Sequence, residues 1–379
     1  MDSIVGRREF LVTSGLVAAG LTAGCATEAG PEATSSGLAV MPNSDGLVRL
    51  NLAENAWGCS RKAYEAIVNH AHGVNRYAGA EKEALIAHIA ETNGVSADQI
   101  VLGNGSKPIL AAAGAVFARR SGRLVTSDLT YLVLNSSAEQ FGTELVRVPL
   151  TETDDWDFAS MVAALNDETI GTYVCNPNGP TGRLCDPVEL RAFVIEAARY
   201  GPVFVDEAYL DMSPDYPANS MVGLVAEGHN VIVSRTLSKM HGLAGQRLGY
   251  AMGPAELVAS IQKLLTNHVN LAGLVAGLAS LEDIAFQEEM RERFKLGRAR
   301  LVGLIDDLGL NYVQAPMHNG VLFDVGTPVP DFHKKMLSEN ILVRSGGYGG
   351  ERATWTSICV VTESEMDKVE IAMKKVFKA

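Results

Sequence analysis

Several features that would define a class of function are missing from this sequence. Its lysines and arginines form no basic cluster and the formal net charge is -12, so nothing indicates a surface that neutralises nucleic-acid phosphates. There are only 5 cysteines and no C-x-x-C pair, which argues against a zinc or thioredoxin-like site and leaves no predicted metal centre. With 47% hydrophobic and 20% charged residues, the composition is that of a globular protein and excludes disorder as the main state.

The first 46 residues do not resemble a globular domain. Arg7-Arg8 precede a short apolar run over 10–24, a pattern typical of a twin-arginine export signal. The run is shorter than the ~20 residues that a membrane-spanning helix needs. Small residues before Cys25 resemble a lipoprotein cleavage site, with plain cleavage as the alternative. We predict a signal peptide over 1–25, a flexible linker over 26–46, and a periplasmic or other extracytoplasmic protein that meets the membrane only through lipid on Cys25.

The other cysteines leave one question open. Cys175 and Cys185 lie on either side of a loop rich in Pro, Asn and Gly, and they could pair in an oxidising compartment. Buried free thiols are the favoured interpretation, because unpaired cysteine is among the most buried residue types.

Beyond the linker, strand-like and helical stretches alternate. Apolar runs such as Val231-Ile232-Val233 are typical of strands covered on both faces. With helical stretches between them, they predict an α/β domain whose mostly parallel, seven-stranded sheet is flanked by helices. A single long helical stretch over 271–308 then leads into a smaller α+β domain. The predicted division is 47–70 for an N-terminal arm that packs with the small domain, 71–268 for the large domain and 269–379 for the small one.

A lysine directly after a buried strand is the first candidate for chemistry. Lys239 follows Ser238 in a stretch of small and hydroxyl residues. Such a lysine can be reachable and yet partly desolvated, so that a neutral amine is available as a nucleophile. Ser238 and the nearby Arg247 could hold a phosphate dianion, because arginine offers two parallel donors. On these residues alone, a surface lysine is the alternative.

A carboxylate at a strand end is the second candidate. Asp206 ends an apolar strand, at the edge where α/β sheets usually bind ligands. A buried carboxylate there needs a cationic partner, such as a protonated pyridine nitrogen, although a helix cap is the common alternative. Tyr209 follows closely in the chain and could reach the same ligand.

Three loops add weaker signals. The Gly-rich turn over 103–107 precedes a helix and offers backbone N–H groups to a phosphate, with a plain tight turn as the alternative. Asn178 lies in a Pro-, Asn- and Gly-rich segment that predicts a rigid loop. Tyr131 follows a strand and could stack on a cofactor ring, or be an ordinary core or surface aromatic.

In this order and spacing, the segments resemble the histidinol-phosphate aminotransferase family and its fold-type I relatives. The resemblance covers roughly residues 47 to 379 and is weakest in the last hundred. It is carried by GNGS at 103–106, TY at 130–131, NPNGPTG at 176–182, DEAY at 206–209, SK at 238–239 and Arg247, with 51–55 and 75–77 upstream. The resemblance implies a pyridoxal-phosphate-dependent aminotransferase, with an amino donor and a keto-acid acceptor as small-molecule partners, that works as a homodimer.

The resemblance also implies roles for single residues. Lys239 would form a Schiff base with the cofactor and shuttle a proton, Asp206 would pair with the ring nitrogen, and Tyr209 would hydrogen-bond the ring 3-oxygen. Tyr131 would stack on the ring, and Tyr77 would reach the phosphate bound in the neighbouring subunit. The phosphate contacts would be Gly105, Ser106, Ser238 and Arg247. Lys107 departs from the family, whose members often carry an acidic residue there, and it could be an additional cation for the phosphate or face solvent.

The sequence departs from the family where the substrate would bind. Gly179 stands where the family has an asparagine that contacts the cofactor 3-oxygen. The neighbouring Asn178 is a candidate substitute, and a contact from Tyr209 alone is the alternative. Ser357 stands where the family has an arginine that binds the substrate carboxylate, a bidentate contact that serine does not make. The candidate substrate contacts are therefore Arg344, Arg352 and Asn319. For Arg352, a solvated loop charge is the alternative.

Three classes of function stay open at this point. An aminotransferase acting on an amino acid or a related amine is the first. Another pyridoxal-phosphate reaction on the same fold, such as that of a β-lyase, racemase, decarboxylase or oxidase, is the second, because the cofactor contacts are shared. A binding protein without activity is the third, and the presence of both Lys239 and Asp206 argues against it.

Overall fold

The computed structural model describes residues 46–266 and 268–378. The predicted signal peptide, Cys25 and the linker up to residue 45 lie outside this part of the chain. Among the described helices, none is both long enough and apolar enough to cross a bilayer.

Helices and strands alternate along most of the described chain. The helices are α1 (Arg61–His70), α2 (Gly79–Asn93), α3 (Ser106–Phe117), α4 (Val133–Gln140), α5 (Phe158–Ala164), α6 (Pro187–Ala197), α7 (Val222–Ala226), α8 (Ala255–Gln262), α9 (Leu271–Leu281), α10 (Ile284–Asp307), α11 (Val329–Ser338) and α12 (Glu363–Lys378). The strands are β1 (Val48–Arg49), β2 (Ile100–Gly103), β3 (Arg123–Ser127), β4 (Glu144–Val148), β5 (Thr169–Cys175), β6 (Val203–Asp206), β7 (Val231–Thr236), β8 (Gly249–Met252), β9 (Gly320–Asp324), β10 (Ile341–Leu342) and β11 (Trp355–Cys359).

The central sheet confirms the predicted seven-stranded, mostly parallel α/β architecture. Its strand order is β2-β8-β7-β6-β5-β3-β4. Only β8 runs against its neighbours, since it pairs antiparallel with both β2 and β7. The carboxyl ends of the parallel strands therefore meet the beginning of β8 at one edge. Residues of β5, β6 and β7 are buried throughout, as expected for strands covered by helices on both faces.

Two hydrophobic cores lie in the described chain. The first contains side chains of the seven-stranded sheet together with Ala63 of α1 and Leu274 of α9. The second contains Val48 of β1 and side chains of β9, β11 and α10 to α12, which form the expected α+β arrangement. The predicted domain boundaries at residues 70 and 268 stay predictions, but the two cores divide between α9 and α10.

The single helical stretch predicted over 271–308 is wrong in one respect, because the structure divides it into α9 and α10. Asp283 lies between the two helices and forms an ion pair with Lys62 of α1, with Nζ and Oδ1 3.1 Å apart. The last carbonyls of α9 accept hydrogen bonds from the amide of Gln287, at 3.1 Å from Ser280 and 3.0 Å from Leu281. These long-range and side-chain contacts satisfy the helix end, and the apolar periodicity of the stretch gave no sign of them.

Candidate active site

A cavity of about 370 Å³ opens at the edge of the sheet where the parallel strands end. Its wall brings together most of the residues that the sequence singled out: Ser106, Lys107, Tyr131, Asp206, Tyr209, Ser238, Lys239 and Arg247. Leu52, Glu54, Cys175 and Gly179 complete much of the remaining wall. Such an edge, where side chains from separate strand ends converge, is the usual ligand site of an α/β sheet.

One end of the cavity is built to hold an anion. Gly105 adopts a φ of +83°, and a Cβ atom there would collide with the guanidinium of Arg247. Arg247 donates to the Ala244 carbonyl at 2.8 Å and to the Ser238 hydroxyl at 3.4 Å, which fixes the guanidinium beside the turn. Helix α3 begins at Ser106, so its free backbone N–H groups and positive dipole end face the same place. The arrangement fits a phosphate group.

Asp206 lies deeper in the cavity and is 1% exposed. Its carboxylate accepts hydrogen bonds from Ser234 Oγ at 2.9 Å and from Tyr173 Oη at 3.3 Å. Burial raises the pKa of Asp206 to about 6, although both hydrogen bonds act in the opposite direction. Among the described residues, no lysine, arginine or histidine forms an ion pair with it. A buried carboxylate without a cation fits the protonated nitrogen of a bound heterocycle.

Lys239 and Tyr209 stand beside each other in the cavity. The Lys239 Nζ atom donates to the Leu52 carbonyl at 2.9 Å and lies 5.5 Å from the centroid of the Tyr209 ring. Burial lowers the pKa of Lys239, while the negative charge of Glu54 acts against this shift. Burial also raises the pKa of Tyr209. The cavity thus favours a nucleophilic amine next to a phenol that keeps its proton and donates it in a hydrogen bond.

These groups together fit pyridoxal 5'-phosphate. The turn at Gly105 and Arg247 suits its phosphate, Asp206 suits its pyridine nitrogen, and the amine of Lys239 suits its aldehyde.

Comparisons with known proteins agree with this geometry. The family described as aminotransferase class I and II matches residues 46–372. A histidinol-phosphate aminotransferase of Brevibacillus brevis is 32% identical over 336 residues, covering 87% of this chain and 90% of the relative. One from Symbiobacterium thermophilum is 33% identical, covering 80% and 83%. The solved histidinol-phosphate aminotransferase of Sinorhizobium meliloti in complex with pyridoxal-5'-phosphate is 25% identical, with a TM-score of 0.75 over 88% of this chain and 91% of that one.

The chain belongs to the class I and II aminotransferase family. It is a fold-type I, pyridoxal-phosphate-dependent aminotransferase.

Two predicted cofactor contacts of this aminotransferase lie away from the cavity. Asn178 is fully buried and uses its side-chain amide within the loop region, accepting from Thr130 Oγ1 at 2.8 Å and donating to the Leu129 carbonyl at 3.0 Å. It supports the loop that carries Gly179 instead of reaching into the cavity. Tyr77 is 87% exposed, with its ring centroid 5.0 Å from that of His268. Its predicted contact in a neighbouring subunit stays a prediction.

The predicted substrate residues are distributed over several environments. Arg352 forms an ion pair with Asp154 and lies 4.4 Å from the centroid of the Trp355 ring, so it is not the solvated loop charge considered as its alternative. Asn319 donates to the carbonyls of Ala53 and Glu54 at 2.9 and 3.2 Å. It thereby holds the N-terminal arm that covers Lys239.

Arg344 remains exposed and lies over the ring of Tyr348, 4.7 Å from its centroid. The Tyr348 hydroxyl is 2.8 Å from that of Ser357. Ser357, which is predicted to stand where the family has an arginine, therefore pairs its hydroxyl with that of Tyr348, and the exposed guanidinium of Arg344 lies over the Tyr348 ring.

The cysteines of the aminotransferase are free thiols at all four described positions, including Cys175 and Cys185. Cys175 lines the cavity, and burial raises its pKa well above the usual value. The thiol therefore stays protonated and contributes a small apolar surface.

Sequence reasoning missed the residues that support Asp206. Ser234 pairs with Asp206 in the register of β6 and β7, and a register of this kind is not visible before the sheet is known. Arg235 of β7 and Glu207, the residue directly after β6, each come one position later and point to the opposite side of the sheet. They form a buried ion pair with Nε and Oε2 3.0 Å apart, closed by hydrogen bonds from Ser220 Oγ to both Glu207 oxygens at 2.9 and 2.8 Å. The only available signal was that charged residues interrupt two buried strands.

Proposed function

We propose that this aminotransferase is exported and transfers an amino group from an amino acid or a related amine to a keto acid, in a ping-pong sequence of two half-reactions. The observation that carries the proposal is the convergence of Lys239, Asp206 and Tyr209 in one cavity with an anion cradle. When bound, pyridoxal phosphate supplies an electron sink conjugated to the substrate α-carbon.

The residues around that group have separable tasks. Lys239, with its lowered pKa, removes and returns a proton at the substrate α-carbon. Asp206 keeps the proton on the ring nitrogen, because a buried carboxylate is stabilised by a cation in contact. Tyr209 donates to the ring oxygen, and Tyr131 covers the ring. Phosphate binding falls to Arg247 together with Ser106, Ser238, Lys107 and the backbone at Gly105.

The substrate is proposed to carry an acidic group that Arg344 binds. Arg344 is exposed and has no carboxylate partner among the described ion pairs, whereas Arg352 is already paired with Asp154. The relatives are named histidinol-phosphate aminotransferases, so histidinol phosphate belongs among the first compounds to test. A second candidate is a different pyridoxal-phosphate reaction, such as β-elimination. It is favoured by two departures from the family, the hydroxyl pair of Tyr348 and Ser357 and the small Gly179.

An absorbance experiment separates these functions. The purified holoenzyme is mixed with a panel of L-amino acids and histidinol phosphate, without keto acid. Conversion of the visible cofactor band to that of pyridoxamine phosphate supports transamination and identifies a donor. A band that shifts without converting, with release of ammonia and pyruvate, supports the second candidate. Absence of any visible band in protein supplied with the cofactor contradicts the assignment of Lys239.

A homodimer with shared active sites is also proposed. Exposed apolar side chains lie beside the cavity and along the first helices, with Leu52 62% and Tyr77 87% exposed, a degree of exposure typical of interaction surfaces. Mixing Lys239→Ala and Tyr77→Phe proteins tests this. If Tyr77 serves the neighbouring site, mixed dimers contain one intact site and regain activity. If the two variants remain as inactive after subunit exchange as they are alone, the shared site is contradicted.

Export is proposed from Arg7-Arg8 and the apolar run that follows. A twin-arginine pathway suits a protein that folds around its cofactor before it leaves the cell, and it implies contact with the twin-arginine export machinery. Cell fractionation of the wild type and of a variant with both arginines replaced by lysine tests this. Wild-type protein found with the cytoplasmic enzymes contradicts export. Metabolic labelling with a fatty acid then decides whether Cys25 carries lipid.

A further inference from the structure

His318 is a buried imidazole that no assigned role explains. It lies in the turn before β9, is 5% exposed, and does not belong to the residues that line the cavity. Its ring centroid is 5.3 Å from that of Tyr209 and the two rings are inclined by 63°, an edge-on contact. On its other side the ring packs against Gly182, where a Cβ atom would come within 3.0 Å of it.

The hydrogen bonds of His318 define one neutral tautomer. Its Nε2 atom is 3.0 Å from the Pro180 carbonyl, which only accepts, so Nε2 carries the proton. Its Nδ1 atom is 3.2 Å from the backbone N–H of Gly320, so Nδ1 accepts. A second proton on the ring would face that N–H and lose the bond. Burial lowers the pKa of His318 to about 4, and the nearby Arg298 acts in the same direction. The ring is therefore a fixed neutral support and not a proton carrier.

Besides its contact with His318, Tyr209 packs against the second core. Gly179, from the loop after β5, offers it no side chain, and a Cβ atom there would be 3.6 Å from Tyr209 Cε2. Lys239 lies over the face of the Tyr209 ring, but it is the group that reacts. We infer that His318 is a positioning residue that holds the Tyr209 phenol at the cofactor ring oxygen through the contact between the two rings. This inference rests on the proposed role of Tyr209.

The turn that carries His318 is itself held by hydrogen bonds to two other segments of the chain. The His318 carbonyl accepts from Arg298 Nη1 at 3.3 Å, and the N–H of the preceding Met317 donates to the Gly182 carbonyl at 2.7 Å. The turn before β9 therefore ties the loop beside Gly179 to α10 of the second core. The same turn contacts the Tyr209 ring through His318.

A pH titration of the bound cofactor tests the inference. The Tyr209 hydroxyl competes with the Lys239 nitrogen for hydrogen bonding to the ring oxygen, so a misplaced Tyr209 lets that nitrogen keep its proton to higher pH. We expect His318→Ala to raise the pH midpoint of the visible band by about 0.5 to 1 unit, from the partial loss of one hydrogen bond to a charged group. His318→Phe, which keeps the ring edge, shifts the midpoint less than His318→Gln, which keeps only the bond to Pro180. His333→Ala, which removes a histidine bound to the Val343 carbonyl, leaves it unchanged.

A double-mutant comparison distinguishes positioning from a general loss of structure. Because His318 acts through Tyr209, His318→Ala produces no further shift in a Tyr209→Phe background. An equal shift in both backgrounds overturns the inference, as does an unchanged midpoint in a folded His318→Ala protein. If the alanine variant does not fold, the other two variants decide. A smaller midpoint shift in His318→Phe than in His318→Gln supports the inference, and the reverse order overturns it.

A measurement without cofactor keeps this test independent of the proposed function. In cofactor-free protein with 13C-labelled tyrosine, the resonance lost in Tyr209→Phe identifies Tyr209. We expect this resonance to move in His318→Ala and to stay in place in His333→Ala. A wild type that never develops a visible band contradicts the proposed function, while an unmoved Tyr209 resonance contradicts the inference about His318.

Discussion

The cavity has two ends that differ in how their residues are held. At the cofactor end, Asp206 is the last residue of β6, Lys239 lies in the connection after β7, and the turn at Gly105 comes after β2. At the substrate end, the candidate residues lie in loops of the second core, and Arg352 and Asn319 are engaged with Asp154 and the N-terminal arm.

The difference shows what a strand end contributes to a site. Parallel strands bring their carboxyl ends to one edge, so residues far apart in the chain converge there without long-range side-chain contacts. A loop residue instead reaches its position through partners that only the folded chain defines. The backbone at the cofactor end is thus positioned mainly by the sheet, and the second core reaches that end through the contacts of Asn319 with the N-terminal arm and of His318 with Tyr209.

The largest effect is expected at the cofactor end. Replacing Lys239 with alanine removes the group that moves the proton, and we expect turnover to fall by about 10⁴-fold or more. Steady-state assays with the donor identified by absorbance measure this, and Lys263→Ala, at an exposed lysine that follows α8, serves as the control. If the Lys239 variant keeps activity within tenfold of the wild type, Lys239 is not the group that moves the proton.

The buried carboxylate gives a pH-dependent effect on stability in the cofactor-free protein. Folded Asp206 keeps its proton up to about pH 6, whereas the reference carboxyl loses it near 3.8, so the folded state binds the extra proton between these values. The wild type therefore loses stability relative to Asp206→Asn as the pH rises through this window, by about 3 kcal/mol in total. Denaturant unfolding at several pH values measures the difference.

Two comparisons sharpen that prediction. Asp215→Asn, at an exposed position, produces no such trend. With the cofactor bound, the trend disappears, because the ring nitrogen stabilises the charged carboxylate. A difference between wild type and Asp206→Asn that is constant from pH 4 to 7 would refute the assignment of an unpaired buried carboxylate.

Phosphate binding is expected to show an intermediate effect. Arg247→Met removes charge-assisted hydrogen bonds worth about 2 kcal/mol, so cofactor affinity falls by roughly 30-fold. Fluorescence titration of the cofactor-free protein measures the dissociation constant. Lys107→Met is the matched comparison, and we expect a smaller loss because Lys107 is exposed and acts as a point charge. Equal losses in both variants would contradict the assigned geometry of the cradle.

The smallest effects are expected at the substrate end, where two arginines should behave differently. Arg352→Gln breaks a half-buried ion pair and the contact with Trp355, which costs about 1 kcal/mol of stability and leaves KM unchanged. Arg344→Gln raises KM for an acidic substrate by about tenfold and leaves stability unchanged. Thermal unfolding and steady-state kinetics of both variants measure this. A raised KM in Arg352→Gln together with a loss of stability in Arg344→Gln would show that Arg352, and not Arg344, binds the substrate.

Much of the fold was predictable because it rests on local patterns. The apolar, β-branched run at Val231 predicted a central strand, and the positions of Asp206 and Lys239 near strand ends predicted the location of the site. The break between α9 and α10 was not predictable, because it depends on Asp283 and Gln287 finding partners in other elements. Periodicity reports which face of a helix is apolar, but not where long-range polar contacts end it.

The limits of prediction at the site have the same cause. Tyr131 and Arg247 reach the cavity because each lies next to a strand of the sheet. Asn178, by contrast, has Thr130 and Leu129 within reach of its amide, and His318 meets Tyr209 only after both cores have formed. Neither contact has a signature in spacing or composition.

The antiparallel direction of β8 has a consequence for protein engineering. Because β8 runs against β7, both ends of the short connection between them, Lys239 and Arg247, lie in the cavity wall. An inserted or deleted residue there would displace the reactive amine and the phosphate ligand together, without a compensating change in the sheet. The turn at Gly228 precedes β7 at its opposite end, and a Cβ atom added there would have no described neighbour within 4 Å. That turn is the better place to insert an epitope or a fluorescent label.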